Sequence, residues 1–313
     1  MKKIFLSIIM LMGIIAANAA LPQKQTHLFA VKGTDSLYLD HYISPVEGQR
    51  GCMMFVFGGG FVGGNRDNEM YLPYFEFLTN NGYDVVSLDY RLGLKALKNM
   101  PDPSTKDMIV LLNNSVNMAV EDLFSATLFV LDNAKQWQID TKKIVTSGSS
   151  AGAIAVLQAE NALCNRTPSA AVLPSGFRYA GVISYAGAIF TLKGEPKWAT
   201  APAPIMFFHG SSDTQVPYDK ATLFGIGFYG PKSLTKEFEK QSWPYWFYDI
   251  EYHTHAIAGL PMHENHTEIL TFLKEYVEKQ RPLSIHTYVR NGELPVRKTK
   301  FKVKDYLEAN YSK

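Results

Sequence analysis

A Gly-Ser-Ser-Ala-Gly run at residues 148–152 contains the serine best placed to act as a nucleophile. A short apolar segment at residues 144–146 precedes the run, and an alanine-rich stretch at residues 153–163 follows it. A G-x-S-x-G motif between a strand and a helix is typical of a sharp turn that exposes the central serine above a sheet. The sequence therefore predicts Ser150 as the nucleophile of an acyl transfer, and an ordinary glycine-serine turn is the alternative interpretation.

A serine hydroxyl is a weak nucleophile, so Ser150 needs a general base, an acid that orients the base, and donors for an oxyanion. Three glycines at residues 58–60 directly follow an apolar strand candidate at residues 53–57. Because glycine lets the backbone approach a substrate closely, we predict an oxyanion hole formed by the N–H groups of Gly59, Gly60 and Ala151. A flexible loop or a phosphate-binding loop is the alternative, but no Lys-Ser or Lys-Thr pair follows these glycines.

Asp213 is the predicted acid. It lies in a His-Gly-Ser-Ser-Asp segment at residues 209–213, directly after a strand candidate at residues 205–208. Taken alone, an aspartate here would be a turn or helix-cap residue, but its place between Ser150 and a cluster of histidines matches the chain order Ser-Asp-His. His209 precedes the acid at the end of the strand, and we interpret it as structural.

The base must lie on the loop after the final strand, within reach of both the serine and the acid. Four histidines lie near this place: His253, His255, His263 and His266. His253 is expected to end the strand at residues 246–252, and His266 begins the last helix, where a capping or surface role is ordinary. We predict His255 as the base, because a short irregular stretch of small residues separates it from the closing helix, and His263 is the runner-up.

The elements that must position these residues alternate between strands and helices. Strand candidates cover residues 26–31, 36–43, 53–57, 84–88, 144–146, 179–184, 205–208 and 246–252, and helix candidates cover residues 68–80, 115–137, 151–163 and 267–279. Such alternation predicts an α/β fold with a mostly parallel central sheet, helices on both faces and an antiparallel N-terminal edge. Ligands of such sheets bind beyond the carboxyl ends of the strands, where each motif described above is expected. Residues 91–114 are expected to form a surface excursion near this site.

Several short segments in this order resemble the α/β-hydrolase superfamily, on the side of the hormone-sensitive-lipase-like and carboxylesterase-type esterases. They are residues 57–61, the Asp-Tyr-Arg run at residues 89–91, Asp122, residues 139–140, residues 148–152 and residues 209–217. Phe57 stands where many members of the family have a histidine, which leaves the oxyanion assignment intact. The resemblance implies hydrolysis of esters and a supporting role for Arg91 beside an acidic side chain.

The first residues resemble a secretory signal peptide, because two lysines precede an apolar run at residues 4–15 and small residues follow at positions 17–19. We therefore expect residues 1–19 to be removed, leaving a secreted or periplasmic protein without stable membrane insertion. An uncleaved membrane anchor is the alternative. Residues 20–313 are expected to form a single α/β-hydrolase domain, in which residues 281–313 are a polar, solvated C-terminal extension.

Composition excludes several other classes of function. Without Lys2 and Lys3, the chain has 29 basic and 29 acidic side chains, a balance that argues against nucleic acid as a partner. Cys52 and Cys164 are expected to be buried thiols, although export would permit a disulfide. No metal-binding motif is present, so no metal and no cofactor is expected.

These observations predict a serine hydrolase that cleaves carboxylic esters through a triad of Ser150, His255 and Asp213 and an acyl-enzyme. Small soluble esters are the expected substrates, with acyl groups on glycans as one candidate. An exported peptidase of the same fold is one alternative, and a non-catalytic binding protein of that fold is the other.

Overall fold

The computed structural model describes residues 22–311, which form twelve strands and seven α-helices. The strands are β1 (Gln23–Lys32), β2 (Asp35–Ile43), β3 (Arg50–Val56), β4 (Tyr83–Leu88), β5 (Ile139–Ser149), β6 (Gly181–Tyr185), β7 (Ile189–Thr191), β8 (Ile205–Gly210), β9 (Lys220–Leu223), β10 (Ile226–Tyr229), β11 (Tyr245–Ile250) and β12 (Ser284–Val289). The helices are α1 (Leu72–Asn80), α2 (Thr105–Trp137), α3 (Ala151–Cys164), α4 (Pro231–Gln241), α5 (Pro261–Glu264), α6 (His266–Phe272) and α7 (Val303–Tyr311).

Nine strands form the central sheet, in the order β1-β2-β4-β3-β5-β6-β8-β11-β12. The pairs β1–β2 and β2–β4 are antiparallel, and all other neighbours are parallel. Every residue of β3 and β4 is buried, as expected for strands covered on both faces. The predicted fold class, with a mostly parallel sheet and an antiparallel N-terminal edge, is confirmed. A second sheet, β7-β10-β9, lies outside this one.

Helix α2 begins about one third of its length earlier than the sequence predicts. Ser104 and Asp107 form a capping box, in which the Ser104 hydroxyl accepts a hydrogen bond from the Asp107 N–H and the Asp107 carboxylate accepts one from the Ser104 N–H. The predicted start of this helix at residue 115 is therefore wrong, although residues 105–114 lie at the surface near the site, as expected. The preceding segment is largely a 3₁₀ helix, Gly93–Asn99.

The C-terminal segment differs from the solvated extension expected from its polar composition. Strand β12 pairs in parallel with β11 from Ser284 to Val289 and forms the far edge of the central sheet. Its exposed and half-buried residues alternate, as is usual for an edge strand with one covered face. Helix α7 then returns toward the carboxyl ends of the strands. The polar composition of the segment concealed both elements, because an edge strand and a surface helix need few apolar residues.

Both cysteines are buried and free of any disulfide, as expected. Burial raises the pKa of the Cys164 thiol to about 12 and raises that of Cys52 well above its ordinary value. Both side chains are therefore protonated, unreactive parts of the core at neutral pH.

Every helix within residues 22–311 is too short or too polar to span a lipid bilayer. In the same part of the chain, no group of three or more His, Cys, Asp or Glu side chains is arranged to hold a metal ion. The predicted signal peptide, residues 1–19, lies outside the described residues.

Candidate active site

The turn between β5 and α3 presents Ser150 with a strained backbone, φ 52° and ψ −116°. Such a conformation costs free energy and persists only where the surrounding structure enforces it. Gly148 and Gly152 allow the turn to form: a Cβ on Gly148 would collide with the backbone of Gly152, and one on Gly152 with the carbonyl oxygen of Val56. The Ser150 N–H donates a 2.9 Å hydrogen bond to the carbonyl of Tyr185, which anchors the turn to β6.

His255 lies between Ser150 and Asp213, at hydrogen-bonding distance from both. Its Nε2 lies 2.8 Å from the Ser150 Oγ, and its Nδ1 lies 2.7 Å from Asp213 Oδ2. When Nδ1–H donates to the carboxylate, Nε2 carries the lone pair that can accept the serine proton. The structure thus brings together the three side chains that the sequence predicts as nucleophile, base and acid.

Asp213 is fully buried, and its carboxylate is held by backbone and side-chain donors. Its Oδ1 accepts hydrogen bonds from the N–H groups of Gln215 at 2.8 Å and Val216 at 3.0 Å. His209, which is itself buried, has its Nε2 3.3 Å from Asp213 Oδ2 and donates to the Val216 carbonyl at 3.1 Å. Burial alone would raise the pKa of Asp213, but the contacts from His209 and then His255 outweigh it and hold that pKa well below its usual range.

The other candidate histidines have different surroundings. His266 donates from Nε2 to the Met262 carbonyl at 2.8 Å and stacks on Phe77 with ring centroids 3.8 Å apart. His253 accepts a hydrogen bond at Nδ1 from the N–H of Thr254. His263 is exposed on the short helix α5. Among the described residues, His255 is the histidine in hydrogen-bond contact with Ser150.

The predicted oxyanion donors surround the same cavity as Ser150 and His255. The Gly59 carbonyl accepts hydrogen bonds from Val62 N–H at 3.0 Å and Gly63 N–H at 3.1 Å, so the loop closes on itself. No acceptor within residues 22–311 pairs with the N–H groups of Gly59 or Gly60. The N–H of Ala151 is the first of α3 and has no partner within that helix. All three groups remain available to a ligand, and their role as an oxyanion hole stays a prediction.

Two supporting contacts could not be predicted from the sequence motifs. The Tyr71 hydroxyl accepts a 3.2 Å hydrogen bond from the Gly58 N–H, which fixes the glycine loop. The Ser149 hydroxyl donates to the Ala258 carbonyl at 2.8 Å, which ties the Ser150 turn to the turn that begins at His255. Neither side chain belongs to a motif that predicts a supporting role, and only the tertiary fold brings it into this contact.

Arg91 has the supporting contacts that the sequence resemblance implies. Its guanidinium Nε lies 3.0 Å from both carboxylate oxygens of Asp122, and its Nη2 lies 2.8 Å from a Glu121 oxygen. These contacts join the loop after β4 to helix α2.

A cavity of about 960 Å³ opens above Ser150 and His255. The glycine loop, the first turns of α2, the small sheet β7-β10-β9 and helix α7 supply its walls. The lining is mostly apolar, with side chains that include Phe61, Leu97, Leu112, Ile154, Phe190 and Phe228. None of the lining side chains described in the structure is an Asp, Glu, Lys or Arg. The wall from residues 94–112 agrees with the expectation that residues 91–114 lie near the site, whereas the wall from α7 is absent from the sequence prediction, because that segment contains no recognisable motif.

Residues 39–166 match the BD-FAE family model. Esterase B1 of Culex pipiens is 33% identical over 104 residues, covering 33% of this chain and 18% of that protein. Fumonisin B1 esterase of Sphingopyxis macrogoltabida is 30% identical over 128 residues, covering 39% of this chain and 22% of that protein. The chain thus matches only about a fifth of the length of these curated relatives.

Among solved structures, the apo form of Thermogutta terrifontis esterase 2 superposes with a TM-score of 0.60 and 19% identity, covering 85% of this chain and 97% of that chain. The same esterase phosphonylated by cyclosarin gives a TM-score of 0.58 at 18% identity, covering 82% of this chain and 95% of that chain. These similarities confirm that the chain has the α/β-hydrolase fold that the sequence resemblance indicates.

Proposed function

We propose that this α/β-hydrolase-fold protein is a serine esterase that hydrolyses carboxylic esters through Ser150. The observation that carries the proposal is the hydrogen-bonded series Ser150–His255–Asp213 at the base of a cavity. Further support comes from the two curated relatives, both of which are esterases, and from the structurally similar Thermogutta terrifontis esterase 2, which has been solved phosphonylated by cyclosarin.

In the acylation step, Ser150 Oγ attacks the ester carbonyl carbon while His255 Nε2 takes the serine proton. The carbonyl oxygen becomes an oxyanion, which the N–H groups of Gly59, Gly60 and Ala151 stabilise. His255 then passes the proton to the leaving alcohol oxygen as the carbon–oxygen bond breaks. The alcohol departs, and the acyl group remains bound to Ser150.

In the deacylation step, His255 takes a proton from water, and the resulting hydroxide attacks the acyl carbon. The second tetrahedral intermediate collapses, the proton returns to Ser150 Oγ, and the carboxylic acid is released. Asp213 stays ionised throughout because its pKa lies well below its usual range. It therefore stabilises the imidazolium that forms in both steps without itself taking the proton.

The proposed substrates are small, soluble, uncharged esters, with acyl groups on glycans as one candidate. The absence of acidic and basic side chains among the described lining residues supports an uncharged substrate, since a buried unpaired charge would be costly. We also propose, from residues 1–19 of the sequence, that the protein is exported; a C-terminally tagged protein should then appear outside the cytoplasm with a shortened N-terminus.

Hydrolysis of p-nitrophenyl acetate, butyrate and palmitate by residues 20–313, with the Ser150→Ala variant as control, tests the proposal. We expect kcat/KM to be higher for acetate or butyrate than for palmitate, and the variant to be inactive on all three. Preference for the palmitate would contradict the substrate class. No hydrolysis by the folded protein would contradict the esterase function, and cleavage of aminoacyl p-nitroanilides instead would favour the peptidase alternative.

A further inference from the structure

Helix α7 lies against the cavity that contains Ser150 and His255. Val303, Tyr306, Ala309 and Asn310 all line this cavity. The spacing of three and four residues between Val303, Tyr306 and Asn310 places them on one face of the helix. The C-terminal end of the chain thus supplies a wall of the candidate active site, although no catalytic group lies on it.

The helix is attached to the loop that carries the predicted acid. Asn310 Nδ2 donates a 3.0 Å hydrogen bond to the Gln215 carbonyl, and the Gln215 N–H donates to Asp213 Oδ1 at 2.8 Å. The Tyr306 hydroxyl interacts with the backbone of Tyr218, which follows the same loop. Burial, and then the negative charge of Asp213, raises the pKa of Tyr306, so its phenol is neutral at physiological pH.

The segment that leads into α7 is also ordered by its own contacts. Asp305 accepts a 2.6 Å hydrogen bond from the Lys302 N–H and a 2.7 Å contact from Lys298 Nζ. The Phe301 ring packs edge-on against Tyr306 with centroids 5.7 Å apart. These contacts orient the start of the helix so that its inner face meets the cavity.

We propose that α7 is a specificity wall, in which Tyr306 and Ala309 limit the size of the ester that reaches Ser150. The inference rests on the proposed esterase function and deepens it. Tyr306 has a large ring beside the loop that carries Asp213, and Ala309 is a small residue at the exposed rim of the cavity. A substitution can therefore remove volume at Tyr306 and add volume at Ala309. Shortening Tyr306 should widen the cavity, and enlarging Ala309 should narrow it.

The test compares kcat/KM for two substrate series in the full mature chain: p-nitrophenyl esters from acetate to octanoate, and acetates of alcohols from methanol to naphthol. Ala309→Trp should lower the ratio of kcat/KM for the largest substrate to kcat/KM for the smallest by about tenfold in at least one series. Excluding a single methylene group from a pocket already lowers kcat/KM by about that factor. Tyr306→Ala should raise the same ratio in that series. Val303→Phe, a second narrowing change on the same face, should act like Ala309→Trp.

Tyr288→Ala is the matched control, because it removes an equal ring from β12, where Tyr288 is 57% exposed and lines no part of the cavity. The dependence of kcat/KM on substrate size in this variant should match that of the wild type in both series. Thermal unfolding of every variant identifies any change caused by misfolding. If folded Ala309→Trp, Val303→Phe and Tyr306→Ala all keep the wild-type ratio of kcat/KM for large and small substrates, the proposal that α7 limits substrate size is wrong. Failure of the wild type to hydrolyse any ester would instead contradict the proposed function.

Discussion

Two aspartate–histidine pairs in this molecule share a buried carboxylate and the same hydrogen-bond length, but their surroundings differ. Asp84 Oδ2 lies 2.7 Å from His41 Nε2, and Asp213 Oδ2 lies 2.7 Å from His255 Nδ1. Asp84 is the second residue of β4, near its amino end, whereas Asp213 follows the carboxyl end of β8. The pairs therefore lie at opposite ends of the parallel strands, one at the amino ends and the other at the carboxyl ends.

The pair at the amino edge is closed by further contacts. Arg50 Nε donates to Asp84 Oδ1 at 2.7 Å, and the Ser44 N–H donates to the same oxygen at 3.0 Å. The His41 ring stacks on Trp137 with centroids 4.2 Å apart, and its side chain is 2% exposed. Its second nitrogen has no hydrogen-bond partner within the described part of the chain. Through His41, Arg50 and Trp137, this pair joins β2, β3, β4 and helix α2.

The pair at the carboxyl edge is open on one side. The His255 side chain is 14% exposed, and its second nitrogen meets the Ser150 hydroxyl below the cavity. An aspartate–histidine pair can thus serve as a general base only where the other imidazole nitrogen can reach a hydroxyl and a substrate. The comparison predicts that one pair serves activity and the other serves stability.

The largest expected effect is the loss of activity in His255→Gln. Without the imidazole, nothing accepts the Ser150 proton, so kcat on an activated ester should fall by about 10³-fold or more. His263→Gln is the matched control and should keep near-wild-type kcat. The opposite result, loss in His263→Gln and retention in His255→Gln, would show that the assignment of the base is wrong.

Exchanging the two aspartates for asparagine separates the two roles. Asp213→Asn should lower kcat by about 10²- to 10⁴-fold, because the amide neither stabilises the imidazolium nor fixes the correct tautomer. Asp84→Asn should leave the buried Arg50 charge without its partner and lower the free energy of unfolding by about 3–5 kcal/mol. Denaturant unfolding measures the stability of each variant, and kcat per folded molecule measures its activity. A large loss of kcat in folded Asp84→Asn would remove the distinction between the pairs.

The smallest effect is a dependence of stability on pH. Burial opposes ionisation of Asp84, but hydrogen bonds from His41 and Arg50 outweigh it and lower its pKa below the ordinary value of 3.8. The unfolded chain therefore binds more protons below that value, and the contribution of Asp84 to stability is complete above it and lost as the pH falls. The difference in unfolding free energy between wild type and Asp84→Asn should be constant from about pH 7 to 5 and shrink below about pH 4. A difference that grows on acidification would contradict this account.

The sequence predicts those parts of the site that local backbone chemistry dictates. Gly148 and Gly152 are required by close backbone approach, and their spacing around Ser150 is visible without a structure. Asp213 could be found because it lies three residues beyond the carboxyl end of a strand. By contrast, Tyr71 supports the glycine loop only through a tertiary contact, and no local sequence pattern indicates this role.

The C-terminal segment could not be predicted for a related reason. Strand β12 has one half-buried face, and α7 meets the cavity through residues of mixed polarity. Hydrophobic periodicity is weak in both elements, so the sequence resembles a solvated tail. The predicted start of α2 is late because the signal of its start, Ser104 with Asp107, lies in the segment that the sequence indicates as a surface excursion.

Labelling with a fluorophosphonate probe shows whether Ser150 is an activated nucleophile. The probe forms a covalent bond with a serine only where a base removes its proton and donors stabilise the resulting charge. We predict a single adduct on the tryptic peptide of residues 144–166, which contains Ser150, and no adduct in Ser150→Ala. A folded wild-type protein that remains unlabelled, or that carries the adduct on a different residue, would show that Ser150 is not the activated nucleophile.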